Sequence, residues 1–317
     1  MARPVQKKIT GPQGAAVAVV GSSNTDMILR VARVPRPGET LLGGEFSTAP
    51  GGKGANQAVA AARAGGCVAF VARLGRDSLG DAALAGFRRE GIAVSHVVRD
   101  PARPSGVALI FVGRDGENSI GVAGGANQRL SPGDVAAARG VISKARVLLL
   151  QLETPLRTVE AAARLASKAK VQVVLNPAPA QPLSDRLLRR VSVLTPNETE
   201  ASLLTGIGVK DIPSAVRAAR SLKRRGVGTV IITLGAKGAL VADGQGEHWV
   251  RGFKVKAVDT TAAGDVFCGA LAVRLAEGSP LLEAVRFAHA AAAISVTRAG
   301  AQPSIPSRRE ILSKLRP

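Results

Sequence analysis

The sequence predicts an α/β fold in which a mostly parallel sheet is sandwiched by helices. Short apolar runs of strand length alternate with longer Ala- and Leu-rich segments of helical spacing, most regularly after residue 131. Strands separated by helices of this length pair in parallel, because the crossover returns the chain to the same edge of the sheet. With 317 residues, 46% of them hydrophobic, the chain suffices for one large α/β domain or two smaller ones.

Before residue 131 the predicted strands and helices do not alternate regularly. The predicted strands there are 15–20, 27–34, 41–48, 67–73, 94–98, 105–112 and 119–122, with helices at 58–64 and 77–91. After residue 131 the pattern becomes more regular. The predicted order is strand 147–150, helix 156–169, strands 171–175 and 192–194, a strand–turn–strand unit at 231–238, and helices 266–277 and 280–297.

The chain is unusually basic, with 43 Lys and Arg against 23 Asp and Glu and a formal net charge of +20. Such a balance can serve nucleic acid, an acidic surface or the capture of anionic substrates. However, the basic residues are scattered over predicted helical faces and cluster only at 223–225 and 308–309. No aromatic residues interleave with these clusters, which argues against a stacking platform for single strands. We therefore attribute the charge to compositional drift and expect no specific nucleic-acid partner.

The two cysteines, Cys67 and Cys268, lie far apart and have no metal-ligand spacing. We interpret them as small buried thiols in a reducing cytoplasm. Residues 1–15 contain Lys7 and Lys8 but no apolar stretch typical of a secretory signal, and are expected to form a disordered or loosely held tail. No apolar run reaches the length of a membrane span, so we expect no membrane association and a cytoplasmic location.

Polar residues follow two predicted strands. Asn24 and Asp26 are spaced by one residue, which places them on one face of extended backbone. An amide that donates beside a carboxylate that accepts can hold two adjacent hydroxyls, although such residues are also common as turn formers. Glu153 follows the strand 147–150, and ligands of parallel sheets bind beyond the carboxyl ends of the strands.

A glycine-rich loop precedes the first predicted helix. Gly51, Gly52 and Gly54 surround Lys53, so the backbone can approach a ligand closely. The run is not a phosphate-binding loop of the Gly-Lys-Ser/Thr type, because Ala55 follows Gly54. Asn56 is expected one turn into the helix, pointing back to the loop; the alternative is a glycine-rich turn with a solvated lysine.

The stretch 257–265 ends a run of β-type residues and opens a helix. Its small residues Ala262, Ala263 and Gly264 leave the first backbone N–H groups uncovered, so an anion such as phosphate can bind there. Asp265 places a carboxylate beside that anion site, where it can accept a proton from an attacking hydroxyl. The alternative is an ordinary loop-to-helix junction in which Asp265 complements the helix dipole.

Taken together, these motifs resemble the ribokinase-like carbohydrate kinases. The most telling pieces are Asn24-Thr25-Asp26, the Gly-Gly-Lys-Gly-Ala-Asn run at 51–56 and the stretch 259–265, and the likeness extends from about residue 17 to 304. The resemblance implies one domain over 16–317, with a small β-sheet lid from about 25–49 and 104–123. In this family the lid commonly also forms a dimer contact, so a homodimer is implied.

The activity implied by the resemblance is ATP-dependent phosphorylation of D-ribose at its 5-hydroxyl, with Asp265 as catalytic base and the 262–265 backbone as anion hole. Deoxyribose, fructose and nucleoside kinases of the same family are alternatives that the form of the 51–56 run makes less favoured. Outside this class, a non-catalytic sugar sensor or a nucleic-acid-binding relative remains open. The intact Asp265 argues against the former and the dispersed charge against the latter.

The resemblance also assigns ligand contacts. Those implied for the sugar are Asn24, Thr25, Asp26, Gly52, Lys53, Gly54, Ala55, Asn56, Glu153 and Asp265. Those implied for ATP are Asn197, Glu200, Thr233, Leu234, Gly235, Ala236, Lys237, Gly238, Gly264, Asp265 and His289. Magnesium would be organised through water by Asn197 and Glu200, because magnesium keeps most of its waters.

A potassium site is implied as well. Its ligands would come from Asp259, Thr261, Ser295, Arg298, Gly300 and Ser304. Simpler alternatives exist for several of these positions: Asn197 as a helix cap, His289 as a structural residue, and 298–304 as a glycine-containing C-terminal loop.

Overall fold

A computed structural model describes residues 16–115 and 117–316. The predicted tail at 1–15 lies outside the described residues. The strands are β1 (Ala16–Val20), β2 (Asn24–Arg30), β3 (Glu45–Gly51), β4 (Cys67–Gly75), β5 (Ala93–Asp100), β6 (Gly106–Val112), β7 (Asn118–Ala123), β8 (Val147–Leu150), β9 (Gln172–Leu175), β10 (Val193–Leu194), β11 (Thr229–Thr233), β12 (Gly238–Ala242) and β13 (Glu247–Arg251).

The helices are α1 (Lys53–Arg63), α2 (Ser78–Arg89), α3 (Pro132–Ala137), α4 (Arg139–Lys144), α5 (Leu156–Lys168), α6 (Asp185–Leu188), α7 (Glu198–Thr205), α8 (Ile212–Arg224), α9 (Ala263–Ala276), α10 (Leu281–Ser295) and α11 (Arg308–Leu315). Short 3₁₀ turns lie at Gly125–Arg129, Gly235–Lys237 and Gln302–Ser304. No helix of the described ranges combines the length and apolarity needed to cross a membrane.

The large sheet has nine strands in the order β13-β12-β11-β10-β9-β8-β1-β4-β5. All pairs from β11 to β5 are parallel, and the pairs β11–β12 and β12–β13 are antiparallel, so β12 alone of the nine strands runs in the opposite direction. The central strands are buried on both faces, as β8 shows: Leu148 belongs to one hydrophobic cluster and Leu149 to the other. Helices α1, α9 and α10 cover one face and α5 and α8 cover the other, which confirms the predicted fold class.

A second sheet of four strands, in the order β3-β2-β6-β7, forms the lid. Strands β2 and β6 pair in parallel, and the outer pairs are antiparallel. The register places Asn24 of β2 between Gly51 of β3 and Gly106 of β6. The polar start of β2, at Asn24, therefore lies at the junction between the lid and the large sheet.

Several local predictions differ from the structure. Strand β2 begins before 27 and β3 ends after 48, because pairing between them is set by the Asn24–Gly51 register rather than by apolar periodicity. Helix α1 begins at Lys53, since Gly52 (φ 87°) is its N-cap. The residues before Asp259 are not a strand; β13 ends at Arg251. The prediction that both thiols are buried was wrong for Cys67, which is exposed at the start of β4.

Candidate active site

The site lies where the carboxyl ends of the central parallel strands meet the N-termini of α1 and α9. Strand β8 is followed by Glu153, and the end of β1 leads through Ser22 to Asn24. The backbone N–H of Lys53 donates to Glu153 Oε2 at 2.9 Å, and the Ser22 hydroxyl donates to the same oxygen. The glycine-rich loop is thereby tied to the strand-end carboxylate, as expected for an α/β sheet.

Asp265 occupies the first turn of α9 and is 5% exposed. Asn56 Nδ2 donates to its Oδ2 at 3.0 Å, and Gln57 Nε2 donates to its Oδ1 at 2.9 Å. Burial raises the pKa of Asp265, while the Lys53 ammonium and the two amide donors oppose that rise. Asn56 Oδ1 is buried and has no partner among the described residues, so it is available to a ligand.

The backbone at the start of α9 has an unusual shape. Ala262, the N-cap, adopts a left-handed conformation with φ 60°, which costs a non-glycine residue about 1 kcal/mol. The Ala263 N–H donates to the Thr260 carbonyl at 3.2 Å. Within the described part of the chain, the N–H groups of Gly264 and Asp265 have no protein acceptor. The positive end of the helix dipole and these N–H groups together form an anion site.

Carboxylates surround Lys53. Burial lowers the pKa of this lysine, but the charges of Asp265 and Glu153 outweigh burial and the net shift is upward. Asp26 of the lid has a pKa raised to about 6, first by burial and then by the charges of Glu153 and Asp265. The Asp26 carboxylate packs directly over Gly51, which leaves no room for a side chain at that position.

Asn24 is oriented by a residue that the sequence analysis did not identify. Asn127 Nδ2 donates to Asn24 Oδ1 at 2.8 Å and to the Ser23 carbonyl at 3.0 Å, and its Oδ1 accepts the Ser23 N–H at 2.9 Å. Because Asn24 Oδ1 is occupied, its Nδ2 donors remain for a ligand, and Gly106 beside it leaves room for this contact. Nothing in the sequence around Asn127 indicated this contact, because Asn127 is 103 residues from Asn24 along the chain.

A cleft extends from Asp265 along α9. The part next to Asp265 and Lys53 has a volume of about 220 Å³. It continues into a larger cavity of about 520 Å³ that reaches His289, and both parts share Thr233, Gly264 and Phe267 in their walls. The geometry therefore joins a charged end, suited to phosphate chemistry, to a more apolar end of a size suited to a nucleoside.

A family model described as "pfkB family carbohydrate kinase" matches residues 15–308. The chain belongs to this family. The kinase is 50% identical to the ribokinase of Haemophilus influenzae over 299 residues, which cover 94% of this chain and 98% of the relative. It is also 40% identical to a deoxyribokinase of Salmonella typhi over 292 residues, with 92% and 95% covered.

Among solved structures, the kinase is similar to Arabidopsis thaliana ribokinase complexed with ribose and ATP. The TM-score is 0.88 at 34% identity, and the alignment covers 95% of this chain and 99% of the other. Family membership confirms the resemblance, the fold class and the prediction of a kinase that acts on a carbohydrate.

Only some of the residues predicted to contact ATP line the same cavity. Thr233, Gly235 and Ala236 line the larger cavity with His289. Leu234 and Lys237 instead line a separate surface pocket beside Trp249, and Gly238 is buried at the start of β12. The structure thus brings three of the six residues of the 233–238 turn to this cleft.

His289 is 7% exposed, and its Nε2 has no partner among the described residues. Burial lowers the pKa of His289 to about 4, so the imidazole is neutral at physiological pH. Its ring lies edge-on to Phe267, with 5.0 Å between the ring centres. A neutral imidazole with a free nitrogen in a cavity wall can bind an uncharged heteroaromatic ring.

Asn197 and Glu200 cap helix α7 reciprocally. The Glu200 N–H donates to Asn197 Oδ1 at 2.8 Å, and the Asn197 N–H donates to Glu200 Oε2 at 3.0 Å. The helix-cap interpretation of Asn197 is therefore correct, yet both residues also line the charged part of the cleft. Burial raises the pKa of Glu200, and the Asn197 N–H opposes that rise.

The two halves of the predicted potassium site adjoin each other. Asp259 Oδ1 accepts the Thr261 N–H at 2.9 Å, and its Oδ2 accepts the Gly300 N–H at 2.8 Å. The Ser304 hydroxyl donates to the Ala301 carbonyl at 2.8 Å, and the Arg298 guanidinium pairs with Glu310. Within 16–115 and 117–316, no cluster of three or more His, Cys, Asp or Glu side chains could hold a metal ion, so any cation here would need carbonyl ligands.

Proposed function

We propose that this kinase transfers the γ-phosphoryl group of ATP to the 5-hydroxyl of D-ribose, giving ribose 5-phosphate and ADP. The observation that carries the proposal is the position of Asp265. It is a buried carboxylate at a helix N-terminus, in the wall of a cleft that continues into a nucleoside-sized cavity, and its charge contributes to the raised pKa of Asp26 in the lid. The similarity to ribokinases, one of them solved with ribose and ATP, supports the substrate pair.

In the proposed reaction, Asp265 accepts the proton of the ribose 5-hydroxyl while the oxygen of that hydroxyl forms a bond to the γ-phosphorus of ATP. The bond between the γ-phosphorus and the oxygen of the ADP leaving group breaks. The free N–H groups of Gly264 and Asp265 would stabilise the charge on the transferring group. The Lys53 ammonium adds positive charge at the same end of the cleft. Catalysis would therefore combine general base action with electrostatic stabilisation.

The sugar would lie between the lid and the glycine-rich loop. Asn24 donates through its free Nδ2, and the Asp26 carboxylate accepts from adjacent hydroxyls. Asn56 Oδ1, Glu153 and the Lys53 ammonium complete the polar surroundings. Gly52 and Gly54 pack against the backbone that joins β1 to β2, where a Cβ has no space, and so hold the glycine-rich loop beside Asn24. The backbone of Gly52, Gly54 and Ala55, together with Thr25, would then border the sugar.

ATP would lie along the cleft with its phosphates at Gly264 and Asp265 and its base beside His289. Asn197 and Glu200 face the charged part of the cleft, and Glu200 Oε1, which takes no part in the helix cap, can accept from metal-bound water. Magnesium, when bound, would neutralise charge on the β- and γ-phosphates. Of the turn at 233–238, we retain Thr233, Gly235 and Ala236 as contacts.

A potassium ion would lie beside Asp259, held by its carboxylate, the Ser304 hydroxyl and the carbonyls of Thr261, Ser295, Arg298 and Gly300. The fit rests on Asp259, whose carboxylate joins the turn before α9 to the loop after α10. Burial raises the pKa of Asp259, but the N–H donors of Thr261 and Gly300 outweigh burial and keep it ionised. A bound cation would hold the shape of the 260–265 turn without touching substrate.

We also propose a homodimer formed through the lid. Two large apolar side chains of β7, Ile120 (55% exposed) and Val122 (59%), lie on the lid face that also carries Asp26, because the register pairs them with Ile110 and Ala108. Phe46 (65%) and Leu109 (52%) lie on the opposite face, so the proposed contact uses the β7 pair. A cytoplasmic location is proposed because the two cysteines are free thiols and ATP is the phosphoryl donor.

The function is tested by measuring ADP release with a coupled assay over a panel of pentoses, hexoses and nucleosides. We expect ribose to give the highest kcat/KM, and the Asp265→Asn variant to lose activity on every sugar that the wild type uses. Preferred use of deoxyribose would identify the kinase as a functional relative of the Salmonella enzyme instead. Activity on nucleosides alone, or on none of these compounds, would contradict the proposal.

A further inference from the structure

Gln57 forms a hydrogen-bonded bridge between Asp265 and the ends of the central strands. It is fully buried in α1. Its Nε2 lies 2.9 Å from Asp265 Oδ1 and 3.1 Å from Asn176 Oδ1, and its Oε1 accepts from Gln151 Nε2 at 2.6 Å. Both N–H donors and the carbonyl of the amide are thus engaged. A half-turn of the amide would face its oxygen toward two other oxygens, so only one orientation is compatible with its neighbours.

The partners of Gln57 are themselves anchored in the sheet. Gln151 directly follows β8 and Asn176 directly follows β9, and both are buried. Asn176 Nδ2 donates to the Thr195 carbonyl, after β10, at 3.1 Å. Gln57 therefore connects Asp265 to the ends of three adjacent strands, which are the most rigid part of an α/β sheet.

Gln57 does not line either part of the cleft, whereas Asn56, the other donor to Asp265, has a buried oxygen free for a ligand. We infer that Gln57 is a positioning residue for phosphoryl transfer: its Nε2 holds Oδ1 of Asp265 and keeps the carboxylate in one orientation as substrates bind and leave. This inference rests on the proposed role of Asp265 as the base. The role belongs to Gln57: the hydrogen bonds of Gln151 and Asn176 reach the Gln57 amide and the Thr195 carbonyl and not Asp265.

The hydrogen bond has an electrostatic consequence. Burial raises the pKa of Asp265, and the Gln57 donor opposes that rise. Loss of one hydrogen bond to a buried charge corresponds to a pKa change of about one unit or more. The other ionisable groups whose charges interact with that of Asp265 are Lys53, Glu153, Asp26, Glu200 and the Cys268 thiol. The hydrogen-bond partners of Gln57 are Asp265, Asn176 and Gln151, so none of these groups loses a hydrogen bond when position 57 is changed.

The test compares Gln57→Leu, which removes the donor at similar size, with Gln151→Leu. The second variant also removes a buried amide but leaves the contact between Gln57 and Asp265. The titration of Asp265 is followed by ¹³C NMR of protein labelled at aspartate carboxyl carbons, with Asp265→Asn for assignment. We expect Gln57→Leu to move the titration upward by about one pH unit, to move the acid limb of kcat/KM by the same amount, and Gln151→Leu to move neither.

An unchanged titration in Gln57→Leu would overturn the inference, and so would an equal shift in Gln151→Leu, since loss of packing would then explain both. If Gln57→Leu does not fold, the isosteric Gln57→Glu variant replaces it. A second carboxyl against Asp265 must share a proton with it, so the titration should move further upward, and an unmoved titration would again overturn the inference. The NMR titration needs no turnover, so a wild type inactive on sugars would contradict only the proposed function.

Discussion

Asn56 Nδ2 donates to Asp265 Oδ2 at 3.0 Å, although the two residues are 209 positions apart in the chain. Asn56 belongs to the first turn of α1 and Asp265 to the first turn of α9, so two helix N-termini converge on one carboxylate. Asn56 Oδ1 is left buried without a partner in the described chain. One sugar hydroxyl could donate a hydrogen bond to Asn56 Oδ1. The neighbouring hydroxyl of the sugar would then lie beside the Asp265 carboxylate, which is proposed to accept its proton.

Asp265→Asn preserves the shape of the side chain and removes the proton acceptor. We expect kcat to fall by roughly 10²–10⁴, while the dissociation constant for ribose, measured by calorimetry without ATP, changes little. Asp185→Asn, at an exposed aspartate on α6, is the control and should leave both quantities unchanged. An Asp265→Asn enzyme with most of its turnover would show that another group is the base.

Ribose binding should weaken as pH falls through about 6, the raised pKa of Asp26. The ionised carboxylate accepts hydroxyl hydrogen bonds and the protonated form accepts fewer, so affinity at one pH unit below this value should be about tenfold weaker. Calorimetric titration between pH 5 and 8 measures this dependence. Asp26→Asn should bind more weakly throughout and lose the pH dependence; a variant that keeps it would assign the effect elsewhere.

The raised pKa of Asp26 also predicts how the stability of the ligand-free protein depends on pH, and here the direction is opposite to that of ribose binding. A pKa raised from 3.8 to about 6 means that folded Asp26 binds protons more readily than unfolded Asp26. The contribution of Asp26 to stability is therefore fully present below pH 3.8 and is lost as pH rises through 6. The unfolding free energy of Asp26→Asn relative to wild type should accordingly increase from pH 3.8 to about 6 and then level off, as measured by urea denaturation.

Ribose should be used better than 2-deoxyribose if Asn24 and Asp26 hold adjacent hydroxyls. With 2-deoxyribose, the Asp26 carboxylate would lose a hydrogen-bond donor and stay buried without one. We expect this to lower kcat/KM for 2-deoxyribose by about 10- to 100-fold relative to ribose. Asn127→Leu, which removes the donor that orients Asn24, should reduce this discrimination. Equal efficiency for the two sugars in the wild type would contradict the assignment of the pair.

Potassium should activate the enzyme by about fivefold or more relative to tetramethylammonium at constant ionic strength. The physical reason is that a cation beside Asp259 would hold the turn that presents the Gly264 and Asp265 N–H groups. Asp259→Ala should abolish the difference between the cations, and Asp243→Ala, on a remote turn, should preserve it. Equal initial rates in both salts would remove the potassium site.

The lid should mediate association of two chains. Sedimentation analysis is expected to find a dimer in the wild type and a monomer after Ile120→Asp or Val122→Asp, because a charge would then be buried in an apolar contact. Leu312→Asp, at an exposed leucine on α11, is the control and should stay dimeric. Dimers that persist in both lid variants would place the contact elsewhere.

Much of this kinase was predictable because its signals are local. Alternation of apolar strands and helices predicted the parallel sheet, and short continuous motifs predicted Asp265, Lys53 and Asn56 at one site. Less was predictable in the lid. Strands β3 and β7 are largely exposed, so their apolar periodicity is weak, and the Asn24–Gly51 pairing sets where β2 begins and β3 ends.

The fold class and the chemical groups of the site follow from local patterns in the sequence. Which group each of them contacts depends on how the helices and strands pack. Gln57 and Asn127 look like any other amide side chains in the sequence, yet the fold places one against Asp265 and the other against Asn24. Lys237 stands in the predicted nucleotide turn, yet its side chain lines another pocket. A side chain's chemistry is local, but its hydrogen-bond partners come from elements more than a hundred residues away, which chain packing alone brings within 3 Å.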